Sequence, residues 1–217
     1  MKVGVDAVLL GCWVEAPGSD FLDVGTGCGV ISLILAQRFP KANILAIDID
    51  NPSIEEAAHN FRKSPWEERL AASPESFPKD TLCRNASFSL IISNPHYFKS
   101  VINEPVTRRE KARHQDSLSI FSLLENSGRL LKPEGNLAMI FPAEFYESAV
   151  ETGRNNGFFQ RRVCFVKDNE NRPEKRVMMQ FGTNEIEQPE VSHLTLFDGI
   201  ESTEDYRFLC KDFYLKF

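Results

Sequence analysis

The sequence predicts an α/β fold, with a doubly wound, mostly parallel sheet and an antiparallel hairpin at one edge. In residues 20–157, short apolar runs rich in strand formers alternate with helical patterns. Such alternation is typical of parallel strands whose connecting helices cover both faces of a sheet. After residue 157, two strand-like runs, 158–167 and 175–181, flank a charged loop and indicate the hairpin. The length of 217 residues fits one domain, 1–217.

The first elements are bounded by caps and prolines. A helix is predicted from about Asp6, whose carboxylate can cap it. An apolar strand over 21–24 follows, and the next helix runs to Phe39, before Pro40. A second strand over 44–47 precedes Asn51-Pro52, which places a cap and a proline at the start of the third helix.

The remaining elements follow the same rules. The run 69–72 predicts a short third strand, and the run 88–92 predicts a fourth that is buried. Apolar periodicity predicts a helix over 117–131, and an apolar run predicts the fifth strand over 136–141. A last helix opens at Pro142 and ends at Gly157.

Composition excludes several classes of protein. Hydrophobic residues make up 42% and charged residues 26% of the chain, as in ordinary globular proteins. Since no apolar run approaches about 18 residues, we expect no membrane association and a cytoplasmic location. The sequence leaves the oligomeric state open, with a monomer favoured. The five cysteines and four histidines show no metal-ligand spacing, so no metal is expected. With a net charge of -6, any nucleic-acid surface must be a local patch.

A glycine-rich turn follows the first strand. The stretch Asp23-Val24-Gly25-Thr26-Gly27-Cys28-Gly29 lets the backbone turn sharply and approach a ligand. Its spacing matches neither the G-x-G-x-x-G dinucleotide pattern nor a P-loop. The turn alone is therefore compatible with a ligand site and with a plain tight turn.

Two more polar groups follow predicted strands. Asp48 lies 19 residues beyond Gly29, where doubly wound folds place an acid against ribose hydroxyls, although a surface acid would look the same. Asn94-Pro95-His96-Tyr97 follows the fourth strand and offers an amide oxygen, a carbonyl and an aromatic ring, or else a simple turn. Because parallel strands end at one rim, these groups and the glycine turn should converge there.

Taken together, these motifs resemble the class I S-adenosylmethionine-dependent methyltransferases that modify amino nitrogens, which have a Rossmann-like fold. The flanking segments resemble, more narrowly, the bacterial tRNA1(Val) adenine-N(6) methyltransferases. The segments that carry this narrower likeness are Lys2-Val3-Gly4-x-Asp6-x-Val8-Leu9-Leu10-Gly11, Ile91-Ile92-Ser93-Asn94-Pro95 with Tyr97-Phe98, Ala112-Arg113-His114 and Asp212-Phe213-Tyr214-Leu215. The likeness covers nearly the whole chain.

The resemblance implies S-adenosylmethionine as cofactor and adenine in tRNA as substrate. The residues it implies for cofactor binding are Lys2, Asp6, Asp23, Gly25, Thr26, Gly27, Gly29, Asp48, Ser76 and Asn94. It implies that Asn94 and the Pro95 carbonyl accept the two hydrogens of the adenine amino group, and that Tyr97 stacks on the base. The chain departs from the family at His96, where a second proline is usual, and in lacking a further segment before Lys2.

A basic segment is the candidate surface for RNA phosphates. Its side chains are Arg108, Arg109, Lys111 and Arg113, and we expect help from Arg161, Arg162, Arg172, Lys175 and Arg176. A charge run can equally be a solvated face. Because an Asn-Pro-x-Tyr site fits any planar amine or amide, protein glutamine and DNA adenine remain alternative substrates. An inactive binding protein with the same fold is the alternative of another class.

Overall fold

The computed structural model describes residues 4–77, 86–95 and 118–214. Its strands are β1 (Asp20–Val24), β2 (Asn43–Asp48), β3 (Leu70–Pro74), β4 (Phe88–Ser93), β5 (Leu131–Pro142), β6 (Phe159–Asn169), β7 (Arg176–Gly182), β8 (Glu190–Asp198) and β9 (Glu201–Ser202). Its helices are α1 (Val5–Trp13), α2 (Val30–Arg38), α3 (Asn51–Arg62), α4 (Ile120–Ser127), α5 (Tyr146–Asn155) and α6 (Glu204–Cys210).

The described strands form one sheet in the order β3-β2-β1-β4-β5-β7-β6-β8-β9. The five strands from β3 to β5 are parallel, so their carboxyl ends lie at the same rim. At that rim Val24 of β1 pairs with Ile47 of β2 on one side and with Ser93 of β4 on the other. This confirms the predicted doubly wound, mostly parallel sheet.

The hairpin of β6 and β7 is confirmed as antiparallel. β7 lies between β5 and β6, and the sheet continues past the hairpin through β8, which runs parallel to β6, and through β9. The sequence reasoning missed β8, β9 and α6. The open face of β8 carries exposed side chains such as Val191 and His193, so its apolar pattern is weak.

Both faces of the sheet are covered by apolar clusters. One cluster joins α1, α2 and α6 to the sheet through residues such as Leu10, Leu35 and Tyr206. The other joins α4 and α5 to the opposite face through residues such as Leu124 and Ala149. The buried strands β1 and β4 lie between these clusters, which fixes the position of the rim where they end.

Several predicted boundaries differ from the structure, including that of β5, which was predicted from residue 136 and begins at Leu131. Helix α1 is capped by the backbone of Gly4, because the Asp6 carboxylate pairs with Arg176 instead. Helix α3 is capped by Asp50, whose carboxylate accepts from the Ser53 amide. The helix predicted to reach residue 131 ends at Ser127, since the chain beyond it pairs with the start of β4.

Candidate active site

The glycine turn is fixed to the end of β2. The amides of Gly25 and Thr26 donate to the Ile47 carbonyl at 2.8 and 3.0 Å. Gly25, Gly27 and Gly29 have φ angles of 71°, 56° and 83°, in the left-handed region that favours glycine. The turn therefore depends on glycine for its conformation, and α2 begins directly after it at Val30.

Gly29 also has no space for a side chain. A Cβ there would lie 2.5 Å from the Phe61 ring of α3. We expect Gly29→Ala to destabilise the protein by about 2–4 kcal/mol, the sum of backbone strain and overpacking. Gly199→Ala is the matched control, because Gly199 has a φ of 61° and open space around it. Chemical denaturation of both variants checks this, and equal losses would contradict it.

The Asp23 side chain holds the turn and the start of α2 through hydrogen bonds. Its side chain is fully buried, and Oδ2 accepts hydrogen bonds from the hydroxyls of Thr26 and Ser32, both at 2.7 Å. Its Oδ1 is buried and has no hydrogen-bond partner among the described residues. Burial raises the pKa of Asp23 to about 6, the Ser32 and Thr26 hydrogen bonds oppose this, and the charge of Asp48 adds to it.

Asp48 joins the turn to the next loop. Its Oδ2 accepts from the Gly27 amide and its Oδ1 from the Asp50 amide, both at 3.0 Å. The residue that follows it, Ile49, is 62% exposed. The sequence shows Ile49 directly after Asp48, but its exposure could not be predicted, since isoleucine is usually buried.

The end of β4 is fastened to the end of β1. The buried Ser93 hydroxyl donates to the Val24 carbonyl at 2.7 Å. Asn94 and Pro95 follow at once, with Asn94 partly buried and Pro95 buried. Strand register thus places Asn94 beside the Gly25 turn, as the sequence predicted. The supporting roles of Ser93 and Ser32 were missed, and their signal is a serine within an apolar run.

Four strand ends together form a continuous rim. In spatial order they carry Ser76 just after β3, Asp48 on β2, the Gly25 turn on β1 and Asn94 on β4. At about 4.8 Å between strands, the distance from β3 to β4 is about 14 Å. Leu118, where the described chain resumes, packs on the turn, since a Cβ on Gly25 would lie 2.9 Å from its Cδ2.

Two of the arginines proposed as helpers for phosphate binding have internal partners. Arg176 pairs with Asp6 at 3.0 Å and with Asp168, and its side chain is 13% exposed. Arg162 donates to the Trp13 carbonyl at 3.1 Å and pairs with Glu190. Both guanidinium groups therefore have a role within the fold. Their help in RNA binding stays a prediction.

Several predicted site residues lie outside the described residues. They are Lys2, His96, Tyr97, Arg108, Arg109, Lys111 and Arg113. Within the described ranges, no group of three or more His, Cys, Asp or Glu side chains is arranged to hold a metal ion. In the same part of the chain, no helix is both long enough and apolar enough to cross a membrane.

Comparison with known proteins agrees with this geometry. Residues 5–153 match the family model described as the methyltransferase small domain. A tRNA1(Val) (adenine(37)-N6)-methyltransferase from Parabacteroides distasonis is 39% identical over 218 residues, which is 100% of this chain and 92% of the relative. The protein of the same name from Vibrio vulnificus is 37% identical, covering 100% of this chain and 90% of the relative.

Solved structures support the fold. A predicted O-methyltransferase from Agrobacterium tumefaciens is similar with a TM-score of 0.74 at 13% identity, covering 95% of this chain and 96% of that chain. A methyltransferase from Pyrococcus furiosus is similar with a TM-score of 0.57 at 20% identity, covering 81% and 80%. This chain belongs to the methyltransferase small domain family and, within it, to the tRNA1(Val) (adenine(37)-N6)-methyltransferases.

Proposed function

We propose that the chain transfers a methyl group from S-adenosylmethionine to the exocyclic amino nitrogen of adenine 37 in tRNA1(Val). The observation that carries the proposal is the rim itself, where the glycine turn and Asn94 end neighbouring strands. The substrate follows from the names of the relatives at 34–39% identity over the whole chain. Cofactor and acceptor are then bound side by side.

The rim fits the cofactor in shape and charge. S-adenosylmethionine supplies a methyl group on a positively charged sulfur, and it joins a nucleoside to an amino acid. The rim of about 14 Å suits such an extended molecule. The unpartnered Oδ1 of Asp23 offers negative charge beneath the turn, where the amino-acid end would lie.

The other end of the rim suits the nucleoside. Asp48 is the acceptor for the ribose hydroxyls, and the exposed Ile49 provides an apolar wall for the adenine ring. Ser76, which is exposed just past β3, borders the same ring. Asp48 keeps its hydrogen bond from Gly27 while it binds, since each carboxylate oxygen can accept more than one hydrogen.

Asn94 and Pro95 activate the acceptor nitrogen. The lone pair of an adenine amino group is delocalised into the ring, which makes the nitrogen a poor nucleophile. When the Asn94 Oδ1 and the Pro95 carbonyl each accept one amino hydrogen, the nitrogen becomes more tetrahedral and its lone pair points toward the methyl group. Catalysis then depends on positioning and electrostatics, without a strong base.

The remaining predicted residues bind the RNA, with the exception of Lys2. Adenine 37 must leave its neighbours to reach the rim, and Tyr97 stacks on it. Arg108, Arg109, Lys111 and Arg113 contact phosphates, which fixes the tRNA without reading its sequence. Lys2 borders the amino-acid end of the cofactor.

Transfer of labelled methyl groups tests the proposal. The protein and labelled S-adenosylmethionine are incubated in four parallel reactions, each with one acceptor. The acceptors are a tRNA1(Val) transcript, the same transcript with guanine at position 37, duplex DNA and a glutamine-containing peptide. We expect label in the first transcript and a signal at least a hundredfold lower in the other three. Label in DNA or peptide instead would show that one of the alternative substrates is the correct one. Cofactor binding without any transfer would indicate an inactive binding protein.

A further inference from the structure

Helix α1 runs beside α2 in the same direction. Gly11 packs against Ile34, and Arg38 at the end of α2 donates to the Gly11 and Val14 carbonyls at 2.7 Å. Val8, one turn earlier in α1, lines the same pocket as Val30 at the start of α2. Both helices therefore begin at the catalytic rim, and the first turn of α1 lies next to the glycine turn.

A largely buried arginine, Arg176, holds that first turn in place. Arg176 opens β7 opposite Pro142, the last residue of β5, and its guanidinium bonds Asp6 on α1 and Asp168 on β6. Burial raises the pKa of Asp6, while the positive charges of Arg176 and Lys175 lower it. The Asp6 carboxylate is thus held by Arg176, and the start of α1 is tied to the β5–β7 side of the rim.

We propose that Arg176 is a positioning residue for cofactor binding: by holding Asp6, it sets the first turn of α1 against the glycine turn, where that turn borders the amino-acid end of S-adenosylmethionine. This rests on the cofactor site of the proposed function. It also changes the predicted role of Asp6, which acts through the placement of α1, since its carboxylate is engaged by Arg176.

The chain supplies a matched control in Arg162. Its side chain is 18% exposed, against 13% for Arg176, and it holds the other end of α1 through the Trp13 carbonyl and a ring contact of 4.8 Å. Arg162 pairs with Gln180, which lies four residues along β7 from Arg176. Arg162 is therefore about 13 Å farther from the rim than Arg176. Both arginines anchor α1, but Arg176 alone of the pair does so at the cofactor site.

Arg176→Met and Arg162→Met are compared by calorimetry with S-adenosylmethionine and by thermal unfolding, without tRNA. Both variants should lose stability, since each removes a largely buried guanidinium that joins α1 to the sheet through hydrogen bonds. Cofactor affinity should fall about tenfold in Arg176→Met and stay within twofold of the parent in Arg162→Met. At saturating cofactor, kcat on tRNA should remain within twofold in both, while KM for the cofactor rises in Arg176→Met.

Two further variants keep the test decisive. Arg176→Lys retains a charge for Asp6 and should restore most of the affinity, and Asp168→Asn, at a 40% exposed side chain, should weaken binding two- to threefold without unfolding the protein. Equal affinity in the Arg176 and Arg162 variants, or parental affinity in Asp168→Asn, would leave Arg176 as a structural residue. Failure of the proposed tRNA activity would not alter these binding measurements, so the two outcomes are separable.

Discussion

Replacing Asn94 by alanine is expected to lower the rate of methyl transfer at least a hundredfold and to leave S-adenosylmethionine affinity within about threefold. The side chain removed carries the Oδ1 that accepts a hydrogen bond from the amino group and so orients the nitrogen lone pair. Removal of one preorganised hydrogen-bonding group at a reacting centre typically costs this much in rate. Single-turnover transfer to a tRNA1(Val) transcript measures the chemical step, and calorimetry measures the binding.

Asn43→Ala provides the control for this substitution. Asn43 is an exposed asparagine at the start of β2, at the opposite end of the sheet from the rim. Its replacement should leave both rate and affinity unchanged. An Asn94→Ala enzyme that transfers methyl groups at the parental rate would remove Asn94 from the mechanism, whatever the fold.

Lowering the pH from 7 to 5 is expected to weaken S-adenosylmethionine binding about tenfold. The Asp23 carboxyl, with a pKa of about 6 raised by burial, is mostly ionised at pH 7 and mostly protonated at pH 5. The positively charged cofactor favours the ionised form, so binding should release a proton near pH 6. Calorimetry in buffers of different ionisation enthalpy measures both the affinity and this proton release.

The same group affects stability in the opposite direction. Because its folded pKa of about 6 exceeds the value of about 3.9 in an unfolded chain, the folded state holds more protons between pH 4 and 6. The contribution of Asp23 to the stability of the free protein therefore falls as the pH rises through this range. Protonation of Asp23 at low pH should therefore lower the affinity for the cofactor without promoting unfolding.

Asp23→Asn should flatten the pH dependence of binding, with an affinity at pH 7 close to that of the parent at pH 5. Asp20→Asn is the control, since Asp20 begins the same strand at the far end of the sheet and is half-exposed. A parental pH profile in Asp23→Asn would assign the dependence to another group.

The sequence was sufficient for the part of the fold that carries the rim. β1, β2 and β4 contain apolar runs because most of their residues are buried. Each is followed by residues with a distinct backbone preference or chemistry: glycines, an acid, or Asn94-Pro95. The glycine turn and Asn94-Pro95 could be placed on one edge because parallel topology gives no other arrangement. The position of Asp48 at the same edge could be predicted for the same reason, since it ends the parallel strand β2.

The parts that were missed depend on contacts between distant segments. No local pattern indicates that Asp6 pairs with Arg176, which is 170 residues away, so the helix cap assigned to Asp6 was wrong. β8 has apolar residues on both faces, with Leu194 and Leu196 buried and Val191 and Phe197 exposed, which blurs its apolar alternation. Long-range pairing of this kind is decided by tertiary packing and not by propensity.

A crystal structure of the protein with S-adenosylhomocysteine bound tests the central claim most directly. The account predicts that the product sulfur lies between the Gly25–Gly27 turn and the Asn94 side chain, with the amino-acid end beside the first turn of α1 and the ribose on Asp48. A sulfur placed over any other strand end, or an Asn94 amide turned away from the glycine turn in that complex, would contradict it.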